Sequence, residues 1–260
     1  MSAAPPITVM TYNVKNPDPE YRWPDRLPEL LGIVERNAPD VLCVQEAFDH
    51  QMDDLRTALP GYSASGQGRE GGTAGEHAAL FHRTDRIAVR GVDSFWLSDT
   101  PDVPVSNTWG SVFPRIANTV RCTDRATGTA FTVCTTHLDH EEGPHGDGVR
   151  ARSAALIAER LVDEPDPVVV AGDCNEPAGR GAAYRTFVDA GYVDAWAVAG
   201  DPSDDVATFN DWRPPERTGE RIDWLLVRGD VTVDRAWIDH DGPETWRASD
   251  HFPVVAELRL

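Results

Sequence analysis

The sequence predicts an α/β fold of two packed β-sheets with helices outside. Three observations carry this expectation. Short apolar runs rich in β-branched residues recur along the chain, amphipathic stretches at helical spacing separate some of them, and no repeat, low-complexity tract or linker interrupts the pattern. With 260 residues, 40% of them hydrophobic, one domain covering 1–260 has enough apolar material for a large core.

ITVMTYNV, from Ile7, reads as a strand ending at Asn13. In Asp25–Ala38, Leu27, Leu30, Leu31 and Val34 fall on one helical face, and Pro39-Asp40 stops the helix. VLCVQEAF is a buried strand that delivers Glu46 at its far end, and Asp49–Leu59 is a second helix. Gly61–Gly75 is glycine-rich and is expected as a surface loop. HAALFHR and IAVRGVDSFWL are expected as a strand pair, and Ser98–Pro114 as a long functional loop. RIANTVRC and AFTVCTTHL, joined through Thr-Gly, read as a hairpin. Asp139–Gly148 is expected as a loop and Val149–Val162 as an amphipathic helix. VVVAGDCN is a buried strand, Gly200–Glu220 a long polar loop, and RIDWLLV, VTVDRAWI and VVAELRL supply the last strands.

Charge narrows the partners. Lys and Arg number 24 against 43 Asp and Glu, a net −19. Non-specific binding to duplex nucleic acid needs a basic footprint, so an enzyme that tracks long duplex DNA is not expected. The four cysteines, Cys43, Cys122, Cys134 and Cys174, form no C-x-x-C pair and read as free thiols in a reducing compartment. The opening MSAAPPITVM lacks a basic region followed by an apolar stretch, and no apolar run is long enough to span a bilayer. A cytoplasmic protein with no membrane partner is expected.

Polar groups recur where apolar strands end: Asn13, Glu46, His137, Asp173 with Asn175, and Asp250-His251, while Asp223 lies inside RIDWLLV. Strand ends hold side chains rigidly at one rim, as a preorganised site requires. Any one of these is also an ordinary polar strand terminus; the set is not. Asn13, Glu46 and Asp250 are hard oxygen donors suited to Mg²⁺ or Mn²⁺ rather than zinc.

The ordered set TYNV, QE, THLDH, GDCNEP, RIDWLLV and SDHFPVVAEL resembles the endonuclease/exonuclease/phosphatase superfamily from Thr11 to the last strand. GD-x-N followed much later by SDH is its most specific part. The resemblance implies a four-layer, deoxyribonuclease I-like α/β sandwich with two mixed sheets, and metal-dependent hydrolysis of a phosphate ester by direct water attack. It places the metal at Glu46, with Asn13 and Asp250 close by. It gives Asp173 the role of orienting and deprotonating water, and Asn175 that of donating to the phosphoryl group. His137 and His251 flank the phosphate, held by carboxylates in two pairs, Glu76–His137 and Asp223–His251. Glu76 is otherwise a solvated loop-edge acid. Arg115 resembles an arginine that reaches the substrate phosphate, or else caps a strand at the surface.

Asp139 and His140 shape the pocket rim or belong to a solvated loop, as does His145; a histidine zinc site there is a minor alternative. Trp96 and Trp109 stack on a substrate ring or, as is commoner, close the core. Cys174 reads as packing rather than as a nucleophile. A phosphodiesterase or nuclease-like activity is favoured slightly over a phosphomonoesterase acting on a sugar or inositol phosphate. The readings from other classes are an inactive binding module on the same fold and a structural or interaction protein using its long loops.

Overall fold

The apolar runs become strands, and these sort into two sheets. The computed structural model describes residues 5–260 apart from 205, 218 and 243, so the start of the N-terminal segment read for a leader lies outside the described residues. In chain order the elements are β1 (Ile7–Asn13), α1 (Trp23–Asn37), β2 (Val41–Ala47), α2 (Asp49–Ala58), β3 (Tyr62–Ser65), β4 (His77–Arg83), β5 (Ile87–Trp96), β6 (Ile116–Asp124), β7 (Ala130–His137), α3 (Gly143–Arg160), β8 (Val168–Asp173), α4 (Ala182–Asp189), β9 (Val193–Asp194), α5 (Ala195–Ala199), β10 (Asp223–Arg228), β11 (Thr232–Ile238) and β12 (Val254–Arg259). One six-stranded sheet runs β11-β12-β1-β2-β4-β3 and the other β5-β6-β7-β8-β10-β9.

Each sheet is antiparallel except at its centre. There β1 lies parallel to β2, and β7 parallel to β8. A parallel pair needs a long crossover, and α1 and α3 supply the two. Each βαβ unit brings the carboxyl ends of two neighbouring strands to one rim. Asn13 and Glu46 sit at that end of the first unit, His137 and Asp173 at that end of the second.

Alternation along the strands builds the layers. Val9, Val41, Cys43 and Leu80 of one sheet meet Val120, Phe131, Val133, Val169 and Leu225 of the other in a central core. The opposite face of the first sheet, with Met10, Leu42 and Phe81, packs on Leu30, Ile33 and Val34 of α1 and on Met52 and Leu55 of α2. The opposite face of the second, with Cys134, Val170 and Leu226, packs on Ile157 of α3 and Phe187 of α4. The result is the four-layer α/β sandwich that the resemblance implies. All four cysteines are free and buried. No described helix is long and apolar enough to cross a membrane.

Several elements differ from expectation. The glycine-rich segment contains β3, a short edge strand paired with β4, so it is not wholly loop. HAALFHR and IAVRGVDSFWL do not pair: β4 joins the first sheet and β5 starts the second, the intervening residues carrying the chain across the sandwich. Helix α3 begins at Gly143, six residues before the apolar face becomes visible, with Pro144 in its first turn, where a missing N–H costs nothing. Helices α4 and α5 and the two-residue β9 were not anticipated.

Phe131 is fully buried between the sheets. Phe131→Ala is expected to destabilise the fold by about 3–5 kcal/mol, and exposed Val162→Ala by no more than about 0.5 kcal/mol. Urea unfolding of both variants checks this.

Candidate active site

Local backbone geometry turns the strand ends toward one cleft. At Glu46 the β2–β4 register slips between Val44 and Ala47, and the residue takes a left-handed φ of 66°. Such a bulge re-aims a side chain. Asn175 is likewise left-handed, with φ 50°, and its backbone N–H donates to Asp173 Oδ1 at 2.9 Å. Before them, Gly172 is required by crowding: a Cβ there would lie 2.0 Å from the carbonyl oxygen of Thr136 on β7. Glycine thus lets β8 approach β7 closely enough to set Asp173 opposite His137.

Asn13 links the two sheets. Its amide nitrogen donates to Glu46 Oε1 and to Asp173 Oδ2, both at 2.9 Å, and lies 3.5 Å from His251 Nε2. Its Oδ1 accepts the Lys15 backbone N–H at 3.0 Å. Asn13 thus spaces two carboxylates, with its amide nitrogen rather than its Oδ1 turned toward Glu46.

Glu46 and Asp250 converge as expected. Between them lies the ammonium of Lys15, 3.0 Å from Asp250 Oδ2 and 3.7 Å from Glu46 Oε2. Lys15 is the sole lysine of the chain, a signal the sequence reading passed over. Two carboxylates closing on one ammonium make the space between them a site for positive charge, and their oxygens suit Mg²⁺ or Mn²⁺. Glu46, His137 and Asp173 also bring ligand atoms within 4.8 Å of one another.

Asp173 is almost fully buried, its Oδ2 3.5 Å from His137 Nε2 and 3.6 Å from His251 Nε2. His251 Nδ1 lies 2.9 Å from Asp223 Oδ2, so those two form a pair. Glu76 and His137 do not. The 66–76 loop closes through Arg69 N–H donating to Glu76 O, which places the Arg69 guanidinium 2.7 Å from Glu76 Oε2. Asn16 donates to the other Glu76 oxygen at 3.1 Å.

The two imidazoles differ in charge. Burial disfavours charge on His251, but the Asp223 and Asp173 carboxylates outweigh it and push its pKa up to about 10. Burial and the nearby Arg115 hold His137 well below the ordinary histidine range. Burial, reinforced by Asp223, raises Asp173 to about 7. Burial also opposes charge on Glu46, yet Lys15, Asn13 and Asn16 hold its carboxyl below the usual range. Adjacent groups are thus shifted in opposite directions by their surroundings.

Arg115 is buried rather than at the surface. Its Nη2 donates to His140 Nδ1 at 2.8 Å, and its Nε lies 3.9 Å from Asp139 Oδ1. Asp139 is fully buried, which corrects the solvated-loop reading; His140 is exposed at the cleft wall beside Phe113. His145 lies on α3, near Glu141, and neither it nor His140 belongs to a metal-competent cluster among the described residues. Trp96 and Trp109 are buried; Trp109 packs in the outer core of the second sheet, and Trp96 Nε1 donates to Arg69 O at 2.7 Å. Cys174 faces the outer core, its thiol pushed up by burial, and is no nucleophile. Asn175 gives one amide hydrogen to Leu138 O and borders the cleft. That cleft measures about 370 Å³ and also takes in Lys15, Asn16, Arg69, Phe113 and Phe209, none of them singled out from the sequence.

Comparison with known proteins identifies the family and the fold. The model of the Endonuclease/Exonuclease/phosphatase family matches residues 10–251. An endonuclease/exonuclease/phosphatase of Bacteroides vulgatus is 33% identical, with a TM-score of 0.89 over 98% of both chains. A mannosyl-6-phosphatase of Bacteroides thetaiotaomicron is 32% identical, with a TM-score of 0.87 over 98% of this chain and 100% of that one. An uncharacterized protein of Acanthamoeba polyphaga mimivirus is 25% identical over 167 residues, and the match spans 60% of each chain. A family match that begins inside β1 and ends at His251 encloses every residue gathered around Asp173, and the chain belongs to the endonuclease/exonuclease/phosphatase family.

Proposed function

We propose that the protein is a divalent-metal-dependent hydrolase of small phosphate esters, working by direct attack of water. The observation that carries this is Asp173: a buried carboxylate within reach of both a charged and a neutral imidazole, beside the Glu46–Asp250 pair.

Ionised Asp173 orients a water and takes its proton. His251, kept cationic by Asp223, faces charge that develops on phosphoryl oxygens. Neutral His137 offers a hydrogen bond without adding charge. The free amide hydrogen of Asn175 offers a neutral donor beside an anion. Glu46 and Asp250 would hold the Mg²⁺ or Mn²⁺ ion, which when bound neutralises a non-bridging oxygen and the leaving group. No covalent enzyme intermediate is needed.

Size supports a small substrate. The cleft of about 370 Å³ lies at the low end of ligand pockets, which span about 300–1,000 Å³. A net charge of −19 disfavours long duplex DNA. The similarity to a mannosyl-6-phosphatase supports a phosphorylated sugar or comparable metabolite, so the slight preference for a nuclease-like activity gives way. Four free buried thiols accord with a cytoplasmic location.

Asp173→Asn and His251→Ala are each expected to lower kcat at least about 100-fold, the scale of lost acid–base catalysis, with melting behaviour retained. Turnover of sugar phosphates and p-nitrophenyl phosphate with Mg²⁺ measures it, and near wild-type rates in either variant would reject the roles. Mg²⁺ at 100 times its Kd is expected to stabilise the protein by about 2.7 kcal/mol. Glu46→Gln and Asp250→Asn should abolish that shift in thermal melting.

The pKa directions set the pH profile. Asp173 acts only when ionised, so kcat/KM should rise as pH climbs toward about 7. His251 acts only when protonated, so kcat/KM should fall as pH approaches about 10. The two limbs belong to the coupled cluster. A profile flat across this window would contradict the assignment.

A further inference from the structure

We propose that Arg69 makes this site select dianionic phosphomonoesters over phosphodiesters, an inference that rests on the phosphoesterase reading above. Arg69 and Arg115 are 6% and 3% exposed, and both border the cleft. Arg69 Nε makes no hydrogen bond among the described residues, while Nη1 is ion-paired with Glu76 Oε2 at 2.7 Å; Arg115 Nε makes no hydrogen bond and stands 3.9 Å from Asp139 Oδ1. Buried guanidinium donors left unpaired beside an open cleft are costly unless an anion completes them.

Arg69 is fixed for that role. The Phe113 ring covers its flat face at 4.1 Å, and Glu76 holds one edge. A void of about 10 Å³, walled by Ala78 and Ile116 as well as by Arg69, Arg115, Glu76 and His137, adjoins the cleft, which the last four also border. A void of this size is on the order of one oxygen-sized sphere. A diester has two non-bridging oxygens and one charge. A monoester has three terminal oxygens and carries a second charge. Arg69 Nε, buried and without a hydrogen-bond partner, offers the further donor that a third terminal oxygen would take. The forked donors of arginine suit the third oxygen.

The test uses p-nitrophenyl phosphate and bis-p-nitrophenyl phosphate with Mg²⁺, because the two share a leaving group and differ in the extra oxygen and charge. Wild type should prefer the monoester. Arg69→Ala should lower kcat/KM for the monoester about 10- to 100-fold, the loss of a charge-assisted hydrogen bond. The monoester-to-diester ratio should fall at least about tenfold, with Arg69→Lys between the two. Inorganic phosphate, titrated by calorimetry into melted-and-checked folded protein, should bind the Arg69→Ala variant about tenfold more weakly. An unchanged ratio with unchanged phosphate binding would overturn the proposal while leaving the phosphoesterase reading intact. Hydrolysis of neither ester by wild type would overturn both.

Discussion

One side chain amide holds the two halves of this molecule in register where it matters. Asn13, on the first sheet, donates to Glu46 beside it and to Asp173 on the second sheet. The central core between the sheets is apolar and non-directional, so it fixes their separation better than their alignment. The Asn13 bridge is directional. It sits where two βαβ units, one per sheet, end at a common rim. Gln45 adds a second polar tie close by, its amide donating to Thr135 Oγ1 at 3.3 Å. The family resemblance of this chain is thus less a matter of scattered motifs than of two crossovers whose strand ends must meet.

Burial then does the electrostatic work. Asp173, Asp223 and His251 are all nearly inaccessible. Two acids and one base in such surroundings cannot all titrate normally. The charge on His251 is favoured by both neighbours, while the charge on Asp173 is opposed by Asp223. On the far side, burial first, then Arg115, His251 and Arg69, hold His137 well below the ordinary histidine range. Backbone strain accompanies this: Lys15, Glu46 and Asn175 all have positive φ, a conformation tolerated where surrounding structure over-determines it.

Much of this is legible in the sequence because a strand is a local pattern and its end is a local event. Asn13, Glu46, His137, Asp173 and Asp250-His251 follow or precede apolar runs, and the cleft gathers all but Asn13, which is buried and bonds to Glu46 and Asp173. Pairing between distant segments is not local, and some expectations that rest on it fail, although the Asp223–His251 pair forms. Nothing in HAALFHR and IAVRGVDSFWL tells that β4 and β5 belong to different sheets. The Glu76–His137 pair assumes a contact across the sandwich, whereas Arg69, seven residues before Glu76 and on the same loop, takes the carboxylate first. The N-terminal part of α3 hides behind three glycines and a proline, whose propensity argues against the helix that tertiary packing enforces. Asn13 is identified as part of the site, but which end of its amide faces Glu46 depends on neighbours that no strand pattern names.

Lys15 has a chemical consequence of its own. Its ε-amine is unique in the chain and stands between Glu46 and Asp250. Reagents that discriminate ε-amines from guanidinium groups would therefore find one side-chain target, and it lies in the cleft. Its two carboxylate partners hold that amine in the charged, less nucleophilic form. A substrate or metal that displaces the ammonium would therefore change how readily this one position reacts.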